Sequence, residues 1–368
     1  MRILYDHQVF SLQNAGGISR YFYELSRYLA TVPDVELDVL LGINATVYPF
    51  HQLASPRIRV EGFRDRLPKG SLRYLVNELW SNATVPFRGR MDIYHPTNYL
   101  RMPMVRAKRV VVTHHDCTHE RFPELFPDVK KILWARKWLF PRVDAIICVS
   151  ESCRQDLLQF YDVDPAKTHV IHHGLARLPR SAQAAAGLRE KLPRRYLLYV
   201  GMRAAYKNFH GLLHAFRESR LHQSFDLLVL GGGAMTADEK ALLDQLELGD
   251  CVITMPKVSD ELLAEAYAGA TLFVYSSLNE GFGFPPLEAM SVGCPVLASR
   301  VGSIPEVCGD APFYFDPADQ SSFARQLVRA VDDEAARRQA VARGIVVARR
   351  YSWTRCGQQT LELYRQCL

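Results

Sequence analysis

The sequence lacks an uninterrupted apolar run of about 18 residues, the length that a membrane-spanning helix requires. Its eight cysteines include no Cys-x-x-Cys pair, and none is grouped with histidines in a metal-binding pattern. We therefore expect neither an integral membrane protein nor a fold stabilised by zinc or disulfides. Residues 1–5 begin directly with a strand-like pattern, so we expect no signal peptide and a cytoplasmic location.

The chain has a modest positive charge of +6, and its basic residues are concentrated in two stretches, residues 57–75 and 130–142. In both stretches they alternate with aliphatic and aromatic residues, a composition that suits either an anionic bilayer surface or a solvated face over a buried stripe. Both readings stay open for the first stretch. In the second, Trp134 and Trp138 lie one helical turn apart, which favours a buried stripe. No nucleic-acid recognition motif is present, so no nucleic acid is expected as a partner.

Two domains are the expectation for 368 residues of which 48% are apolar. In the first half, short β-rich segments alternate with amphipathic helical segments, as in a parallel sheet covered by helices on both faces. The predicted strands are residues 1–5, 35–41, 58–62, 92–95, 109–114, 145–149 and 169–172, and the predicted helices are residues 19–30, 71–82, 129–140 and 152–161. Residues 176–195 contain two prolines and an alanine-rich run, and we predict a linker there.

The alternation resumes after residue 195. The predicted strands are residues 196–201, 226–230, 252–254, 271–275, 296–298 and 313–315, and the predicted helices are residues 209–219, 237–246, 260–268, 286–292 and 321–331. The pattern predicts an α/β protein with two doubly wound, Rossmann-like domains, at residues 1–175 and 196–353, that face each other across a cleft. In such folds ligands bind beyond the carboxyl ends of the strands.

The most informative segment, residues 280–288, reads Glu-Gly-Phe-Gly-Phe-Pro-Pro-Leu-Glu and follows a predicted buried strand. Gly281 and Gly283 allow backbone N–H groups to approach a ligand closely. Pro286 fits the first position of a helix, which would place Glu288 in the first turn beside unpaired N–H groups. With Glu280 in the loop after the strand, this order of strand, loop and helix predicts a site for a polar small molecule.

This segment and its continuation Ala289-Met290-Ser291-Val292-Gly293-Cys294-Pro295-Val296 resemble the two-glutamate signature of retaining glycosyltransferase family 4. Weaker matches extend over residues 14–320. The resemblance implies the GT-B architecture, with a nucleotide-sugar donor bound by the second domain and an acceptor by the first. It implies that Glu280 and the backbone of Phe282 and Gly283 position the donor sugar, that Gly281 belongs to the same loop, and that Glu288 binds the ribose hydroxyls. It also suggests that the last helix, in residues 354–368, returns to the first domain.

Two further loops carry candidate residues for phosphate binding. Gly16 and Gly17 open a predicted helix, where backbone N–H groups favour anions, and the resemblance implies that they face the donor. Arg203 and Lys207 follow the first strand of the second domain. The resemblance implies that this basic pair holds the diphosphate and stabilises the charge that develops as it leaves. Arg203 stands two residues after Gly201, where the family pattern has arginine one residue after, so Lys207 aligns better.

A histidine pair ends the predicted strand at residues 109–114. The resemblance matches His115 and Asp116 to a His-Asp pair whose histidine contacts the donor sugar. Neighbouring residues of a strand point to opposite faces, so His114 remains the alternative, as does a purely structural histidine. We do not predict a metal site from His114, His115 and His119, because their spacing is not a known ligand pattern.

The resemblance implies a retaining, metal-independent hexosyltransferase. The acceptor would attack the face from which the diphosphate leaves, and the leaving phosphate would take its proton, so neither a metal nor another cofactor is expected. The Gly-Phe-Pro-Pro-Leu-Glu-Ala-Met form resembles mannosyltransferases of bacterial surface polysaccharide. We therefore expect GDP-mannose or a GDP-linked relative as the donor and a saccharide or lipid-linked saccharide of lipopolysaccharide or O-antigen synthesis as the acceptor. Such an acceptor would bring the protein to the inner face of the cytoplasmic membrane as a peripheral protein.

Three alternatives remain. The first is a transferase of the same family that uses a UDP-sugar. The second is a sugar-nucleotide epimerase of the same architecture, which would convert its donor with no acceptor present. The third is a non-catalytic protein that binds a nucleotide sugar without turnover; the presence of Glu280, Glu288 and Lys207 counts against it.

Overall fold

The computed structural model describes residues 1–64, 71–99, 105–192 and 194–368. Residues 65–70, which belong to the first basic stretch, and Pro193 of the predicted linker lie outside them. The chain forms two units. The first comprises residues 1–174 and 352–368, and the second comprises residues 175–351.

The first unit contains a seven-stranded parallel sheet with the strand order β3-β2-β1-β4-β5-β6-β7. Its strands are β1 (Arg2–Tyr5), β2 (Glu36–Asn44), β3 (Ile58–Arg64), β4 (Met91–His95), β5 (Ala107–His114), β6 (Ala145–Cys148) and β7 (Thr168–Val170). Its first six helices are α1 (Gln8–Leu12), α2 (Gly17–Ala30), α3 (Ser71–Thr84), α4 (Thr118–Arg121), α5 (Val129–Leu139) and α6 (Glu151–Phe160). The strand order reverses between β1 and β4, so these two carboxyl ends form the switch point at which such sheets bind ligands.

The buried residue Asp6, directly after β1, holds this switch point together. Its carboxylate accepts hydrogen bonds from the Tyr94 hydroxyl at 2.5 Å, the Gln8 side-chain amide at 2.7 Å and the Thr97 backbone N–H at 3.0 Å. A buried carboxylate is tolerated only when its oxygens are satisfied in this way. The loops that follow β1 and β4 are therefore fixed against each other.

The second unit contains a six-stranded parallel sheet with the order β10-β9-β8-β11-β12-β13. Its strands are β8 (Tyr196–Val200), β9 (Asp226–Leu230), β10 (Val252–Met255), β11 (Leu272–Tyr275), β12 (Val296–Ser299) and β13 (Phe313–Phe315). Its helices are α7 (Ala182–Lys191), α8 (Phe209–Glu218), α9 (Ala237–Gln245), α10 (Asp260–Gly269), α11 (Phe284–Ser291), α12 (Ile304–Cys308), α13 (Gln320–Asp332) and α14 (Glu334–Ala348). Here the order reverses between β8 and β11. The two parallel sheets confirm the predicted α/β class.

Each sheet is buried by helices that carry apolar stripes. In the second unit, Phe209, Leu212 and Phe216 of α8 and Leu327 of α13 pack in one cluster with the apolar residues of β8, β9 and β11. Nearly every residue of these strands is buried, which explains why they read as continuous apolar runs. The sheet is thus a rigid support for the loops at its carboxyl edge.

The last helix, α15 (Trp353–Cys367), belongs to the first unit and packs along α2. The buried Tyr364 hydroxyl lies 2.5 Å from Nδ1 of His95 and 3.2 Å from the Tyr5 hydroxyl. These contacts connect the carboxyl-terminal helix to the two central strands of the sheet.

Residues 176–195, which we predicted as a linker, include helix α7. Ser181 caps this helix, because its side chain accepts a hydrogen bond from the Ala184 backbone N–H. The Arg180 guanidinium pairs with Glu265 of α10 at 2.7 and 2.9 Å. A strong N-cap and an alanine-rich run are helix signals, and here they outweigh the two prolines that flank them.

Helix α5 exposes the two tryptophans that we expected in a buried stripe, so that interpretation was wrong. Trp134 is 69% exposed and Trp138 is 43% exposed, whereas Ala135, Arg136 and Leu139 are buried. Arg136 occupies a core position because Glu120 balances its charge, with Nη1 at 2.8 Å from Oε1. Hydrophobic periodicity does not reveal a buried ion pair of this kind.

Candidate active site

The residues of the second unit that we singled out surround the carboxyl ends of β8 and β11. Lys207 ends a short 3-10 helix, Ala205–Lys207, that follows β8, and Asn208 then adopts a left-handed conformation from which α8 begins. Glu280 lies in the loop between β11 and α11. Because β8 and β11 are neighbours at the switch point, the fold brings these two distant positions together.

Lys207 and Glu280 form an ion pair, with Nζ 2.5 Å from Oε1. Their side chains are 18% and 14% exposed, so the pair is largely screened from water and still accessible to a ligand. The rings of Tyr206 and Tyr275 lie 5.1 and 5.9 Å from the Lys207 ammonium, within cation–π distance. The site therefore offers a fixed cation, a carboxylate and two aromatic faces.

Tyr275, the last residue of β11, lies beside this carboxylate. Burial and, second, the nearby charge of Glu280 raise the pKa of Tyr275 well above its ordinary value. Tyr275 thus stays protonated, and its hydroxyl is available as a donor beside Glu280.

The loop from Glu280 to Gly283 is held in place by a hydrogen bond to its backbone and by the packing of the Phe282 ring. The Ser303 hydroxyl donates to the Glu280 carbonyl at 2.9 Å. The buried Phe282 ring packs against Tyr351 and Phe284, with ring centroids 5.5 and 5.3 Å apart. Gly283 has a φ of +95°, in the left-handed region that favours glycine, and it is the N-cap of α11.

Helix α11 begins two residues earlier than we predicted, at Phe284. Pro286 is consequently its third residue, a position that proline tolerates because the first four N–H groups of a helix have no intrahelical partner. Glu288 is the fifth residue, just past the first turn. It is buried, and its Oε2 lies 3.5 Å from the Tyr267 hydroxyl of α10.

The Arg203 guanidinium has partners that differ from those of Lys207. Its side chain is only 3% exposed and pairs with Glu239, with Nε 2.7 Å from Oε1. Its terminal nitrogens donate to the carbonyls of Gly231, Gly233 and Ala234 at 3.1, 3.3 and 2.8 Å. The structure thus gives the two predicted diphosphate ligands separate environments.

A cavity of about 640 Å³ lies in the first unit, beyond the carboxyl ends of β1, β4 and β5. Its lining combines aromatic, acidic and basic side chains from α3, α5 and the strand ends, among them Tyr74, Glu78, Tyr99, His115, Asp116 and Lys131. The lining also includes Ile18, in the first turn of α2 after Gly16 and Gly17. A concave site with several polar groups is the usual setting for a small-molecule ligand.

His115, and not His114, lines this cavity. Its ring stacks on that of His173 at 5.6 Å and meets the edge of Tyr21 at 5.6 Å. Burial lowers the pKa of His115 to about 4, so its imidazole is neutral at physiological pH. His114 points into the protein, where its Nε2 is 3.2 Å from the Cys117 sulfur.

Asp116 keeps a negative charge beside His115. Burial opposes its ionisation, but Arg136 and the Thr118 backbone N–H at 2.8 Å outweigh burial and lower the pKa of Asp116. The Arg136 guanidinium is itself held by Glu120 and lies over the Tyr99 ring at 5.1 Å. The cavity wall therefore combines the neutral His115 imidazole with the charged side chains of Asp116 and Arg136.

The two halves of the chain match two family models. Residues 15–176 match the model described as Glycosyltransferase Family 4, and residues 182–346 match that of Glycosyl transferases group 1. The O-antigen chain mannosyltransferase B of Escherichia coli is 30% identical over 95% of this chain and 96% of its own length. The chain belongs to glycosyltransferase family 4.

Solved structures agree with this family 4 assignment at the level of the fold. Sucrose-phosphate synthase from Thermosynechococcus elongatus has a TM-score of 0.78, with 22% identity over 99% of this chain and 98% of that chain. The Anabaena protein HepE, in complex with UDP and glucose, has a TM-score of 0.77, with 20% identity over the full length of both chains. The fold of this transferase is therefore GT-B, as the resemblance implied.

The described part of the transferase contains neither a cluster of metal ligands nor a helix that could span a membrane. Among the described residues, no three His, Cys, Asp or Glu side chains are grouped so as to hold a metal ion. An Asp-x-Asp triplet occurs at Asp162 and Asp164; Asp164 uses its carboxylate to accept the Ala166 N–H at 2.9 Å in an exposed turn. No helix in the described ranges combines the length and the apolar run needed to cross a bilayer.

Sequence reasoning missed several residues that shape these sites. Tyr275 ends an apolar strand and reads as a core aromatic, and Glu239 reads as an ordinary helix-start carboxylate. Tyr74 and Glu78 are one turn apart on α3, but only the fold brings them to the carboxyl ends of the strands. The Thr236-x-x-Glu239 capping-box pattern was a usable signal for a fixed loop, although it does not reveal Arg203 as the partner.

Proposed function

We propose that this glycosyltransferase is a retaining mannosyltransferase. It would transfer mannose from a nucleotide sugar, with GDP-mannose as the first candidate, to a saccharide acceptor of O-antigen or lipopolysaccharide assembly. The observation that carries the proposal is the Lys207–Glu280 pair at the switch point of the second unit. The proposal is also supported by the match of this chain to an O-antigen chain mannosyltransferase over nearly the whole length of both proteins.

Each donor residue has a role that suits its chemistry. Lys207 supplies a fixed positive charge for the departing diphosphate, where a preorganised cation is most effective. Glu280 accepts hydrogen bonds from hydroxyls of the donor sugar, and the backbone of Phe282 and Gly283 completes that subsite. Glu288 accepts hydrogen bonds from the ribose hydroxyls. His115 of the first unit is a neutral imidazole, so in the role that the resemblance implies it acts as a hydrogen-bonding group and not as an acid.

The proposed reaction keeps the configuration at the anomeric carbon. The bond between C1 and the phosphate oxygen breaks, and the acceptor oxygen bonds to C1 on the same face. The acceptor proton passes to the departing phosphate oxygen. This chain would require neither a protein nucleophile nor a metal, because Lys207 carries the charge that a metal would otherwise balance.

The acceptor would enter the cavity of the first unit. Its tyrosines and carboxylates can stack on sugar rings and accept hydroxyl hydrogen bonds. At its edge, Leu72, Leu75 and Leu79 of α3 are exposed, and Leu75 also lines the cavity. An apolar surface beside a polar cavity suits a lipid-linked saccharide. Its lipid would lie on the apolar surface, and its sugar would enter the cavity.

We propose that the same unit contacts the anionic inner face of the cytoplasmic membrane. On α5, Trp134 and Trp138 are exposed on one face together with three lysines, Lys130, Lys131 and Lys137. Tryptophan prefers the bilayer interface, and lysine is attracted to anionic headgroups. This face would hold the protein near a lipid-linked acceptor.

A UDP-sugar donor is the second candidate. A specific observation favours it, since the related fold of HepE is in complex with UDP and glucose. A thermal-shift panel of GDP, UDP, ADP and dTDP, each with and without EDTA, separates the candidates. At one hundred times its Kd a nucleotide stabilises its target by about 2.7 kcal/mol, a readily measured shift.

We expect GDP alone to stabilise the protein, equally with and without EDTA, and we expect Lys207→Met to remove that stabilisation. Selective stabilisation by UDP would make a UDP-sugar the proposed donor and would leave the transferase assignment unchanged. If no nucleotide stabilises the protein, the proposed donor site is wrong. If EDTA abolishes the shift, metal independence is wrong.

A further inference from the structure

The loop between β9 and α9 has an unusual backbone. Gly231, Gly232 and Gly233 have φ values of +83°, +73° and +78°, three consecutive residues in the left-handed region. Other residue types rarely adopt this conformation, so the path of the loop depends on glycine. The loop follows β9, which pairs with β8, and it therefore lies at the same edge of the sheet as Lys207.

This loop is wrapped around the Arg203 guanidinium. Arg203 donates to three of its carbonyls, those of Gly231, Gly233 and Ala234. A Cβ added to Gly232 would lie 2.5 Å from Nη1 of Arg203 and 2.9 Å from the Gly201 carbonyl oxygen. The loop therefore contacts Arg203 on one side and the residues at the end of β8 on the other.

Glu239 fixes the far end of the loop through both of its oxygens. Oε1 receives the Arg203 Nε–H at 2.7 Å, and Oε2 receives the Thr236 N–H at 2.7 Å, which closes a capping box at the start of α9. Burial works against ionisation of Glu239, but Arg203 and the Thr236 N–H outweigh it and lower the pKa of Glu239. One carboxylate therefore couples the guanidinium to the helix start.

We propose that Arg203 is a positioning residue: with Glu239 it holds residues 231–234 as a rigid wall of the nucleotide site, and it does not itself bind the diphosphate. This inference rests on the donor site proposed above. Gly232 and Gly233 are exposed, and a Cβ added to Gly233 would meet nothing within 4 Å, so the wall presents bare backbone to the space beside the strand ends. A nucleotide base or a ribose can approach such a backbone closely.

Positioning of the loop by Arg203 and direct binding of the diphosphate by Arg203 predict different kinetic effects for a substitution of Glu239. If Arg203 acts through the loop, Arg203→Lys and Glu239→Gln each release the same loop. We then expect each to raise the donor KM about tenfold with kcat nearly unchanged, the pattern of lost binding rather than lost transition-state stabilisation. The double variant would raise the donor KM no more than either single variant does, because both substitutions act on the same loop. If Arg203 binds the diphosphate directly, Arg203→Lys lowers kcat, and Glu239→Gln leaves the donor KM unchanged or lowers it.

Hydrogen exchange on the nucleotide-free protein tests the loop without relying on a donor. We expect faster exchange at residues 230–236 in Arg203→Lys and in Glu239→Gln, with the rest of the second unit unchanged. Arg217→Lys is the matched control, because Arg217 pairs with Glu247 in an exposed position of the same unit, at 2.6 Å. Both conservative variants keep a polar side chain at the buried position, and a thermal melt checks that they fold.

Faster loop exchange together with matched, non-additive rises in donor KM supports the proposal. Unchanged exchange in Arg203→Lys overturns it, and so does a fall in kcat that Glu239→Gln does not share. If the wild-type protein binds no nucleotide, the proposed donor site fails, while the exchange comparison still decides whether Arg203 and Glu239 hold the loop.

Discussion

Lys207 and Glu280 carry opposite charges 2.5 Å apart where the proposed donor would lose its diphosphate. The pair keeps each side chain in one place without a ligand, so little reorganisation is needed when charge develops during the reaction. Electrostatic preorganisation of this kind commonly provides the largest single part of a rate enhancement. Neither residue is part of the apolar core, so their roles can be tested without loss of the fold.

We predict that Glu280→Gln and Lys207→Met each lower kcat by about 10²- to 10³-fold, the usual loss when one preorganised group is removed. Stability should fall by about 1–3 kcal/mol, because each variant leaves the other, largely buried charge without its partner. Steady-state kinetics and urea unfolding measure the two effects. The matched control is Glu218→Gln, an exposed carboxamide substitution in the same unit. Near-normal kcat in Glu280→Gln would remove Glu280 from the mechanism.

Tyr275 provides a second, milder test of the same site. Tyr275→Phe removes only the hydroxyl beside Glu280 and keeps the buried ring. A hydrogen bond to a charged group contributes about 1.5–3 kcal/mol, so kcat/KM should fall by about ten- to a hundredfold if Tyr275 orients the carboxylate. A double variant with Glu280→Gln should lose little beyond Glu280→Gln alone. Unchanged kcat/KM in Tyr275→Phe would mean that Glu280 needs no such support.

Helix α5 carries the surface on which the proposed membrane contact depends. Trp134 and Trp138 point outward because the inner face of α5 is occupied by Ala135, Leu139 and the paired Arg136. Two exposed tryptophans among lysines are costly to leave in water and suit a bilayer interface. The helix thus has an outer face with a composition that ordinary solvated helices lack.

We predict that the protein binds vesicles that contain anionic lipid, and that Trp134→Ser with Trp138→Ser weakens this binding on the order of tenfold or more, since the aromatic anchors are lost. Co-sedimentation with vesicles of anionic and of purely zwitterionic lipid measures it. Phe160→Ser is the control, because Phe160 is an exposed aromatic residue elsewhere on the same unit. Equal binding by the tryptophan variant and the wild type would exclude this face as the anchor.

The elements differ in how far the sequence predicts them. The strands of both sheets follow from short apolar runs, because strands buried on both faces leave no other pattern. Helix α7 was missed because two prolines suggested a linker, although Ser181 and the alanines specify a helix. The outer face of α5 was misread because Arg136 takes a core position that only its pairing with Glu120 permits.

At the site, the family resemblance predicted roles for Lys207 and Glu280, and the fold explains why the two side chains meet. Arg203 was expected beside them, but a guanidinium has several donors and binds whichever acceptors the fold provides. Here these are three loop carbonyls and Glu239. Such a set of partners is distant in sequence and has no local signature.

At the scale of the whole molecule, the first unit differs from the second in its buried histidines. Burial lowers the pKa of His95 to about 3 and that of His115 to about 4, and it lowers the pKa values of His114 and His173 well below 6.5. These groups are neutral in the folded unit and take up protons once it unfolds. Between about pH 6.5 and 4 the unfolded state therefore binds more protons, and stability falls as the pH falls.

We predict that the free energy of unfolding of the first unit falls by about 1.4 kcal/mol per pH unit for each such histidine in this window. Between pH 7 and 8 these histidines should contribute no change. All four tryptophans lie in the first unit, so tryptophan fluorescence during urea unfolding reports on that unit alone. His115→Gln should reduce the slope by about one proton, because it removes one of the titrating groups. A stability that is flat from pH 7 to pH 4.5 would contradict the burial of these neutral imidazoles.

The most direct test of the proposed function is the anomeric outcome of mannose transfer. The full-length protein is incubated with GDP-α-mannose, octyl α-mannoside as a lipid-like acceptor, and EDTA, and the product is examined by proton NMR. We predict a new α-mannosidic linkage, formed in the presence of EDTA and absent with Glu280→Gln. A β-linked product, or transfer only when a divalent metal is restored, would contradict the proposed retaining, metal-independent mannosyltransferase.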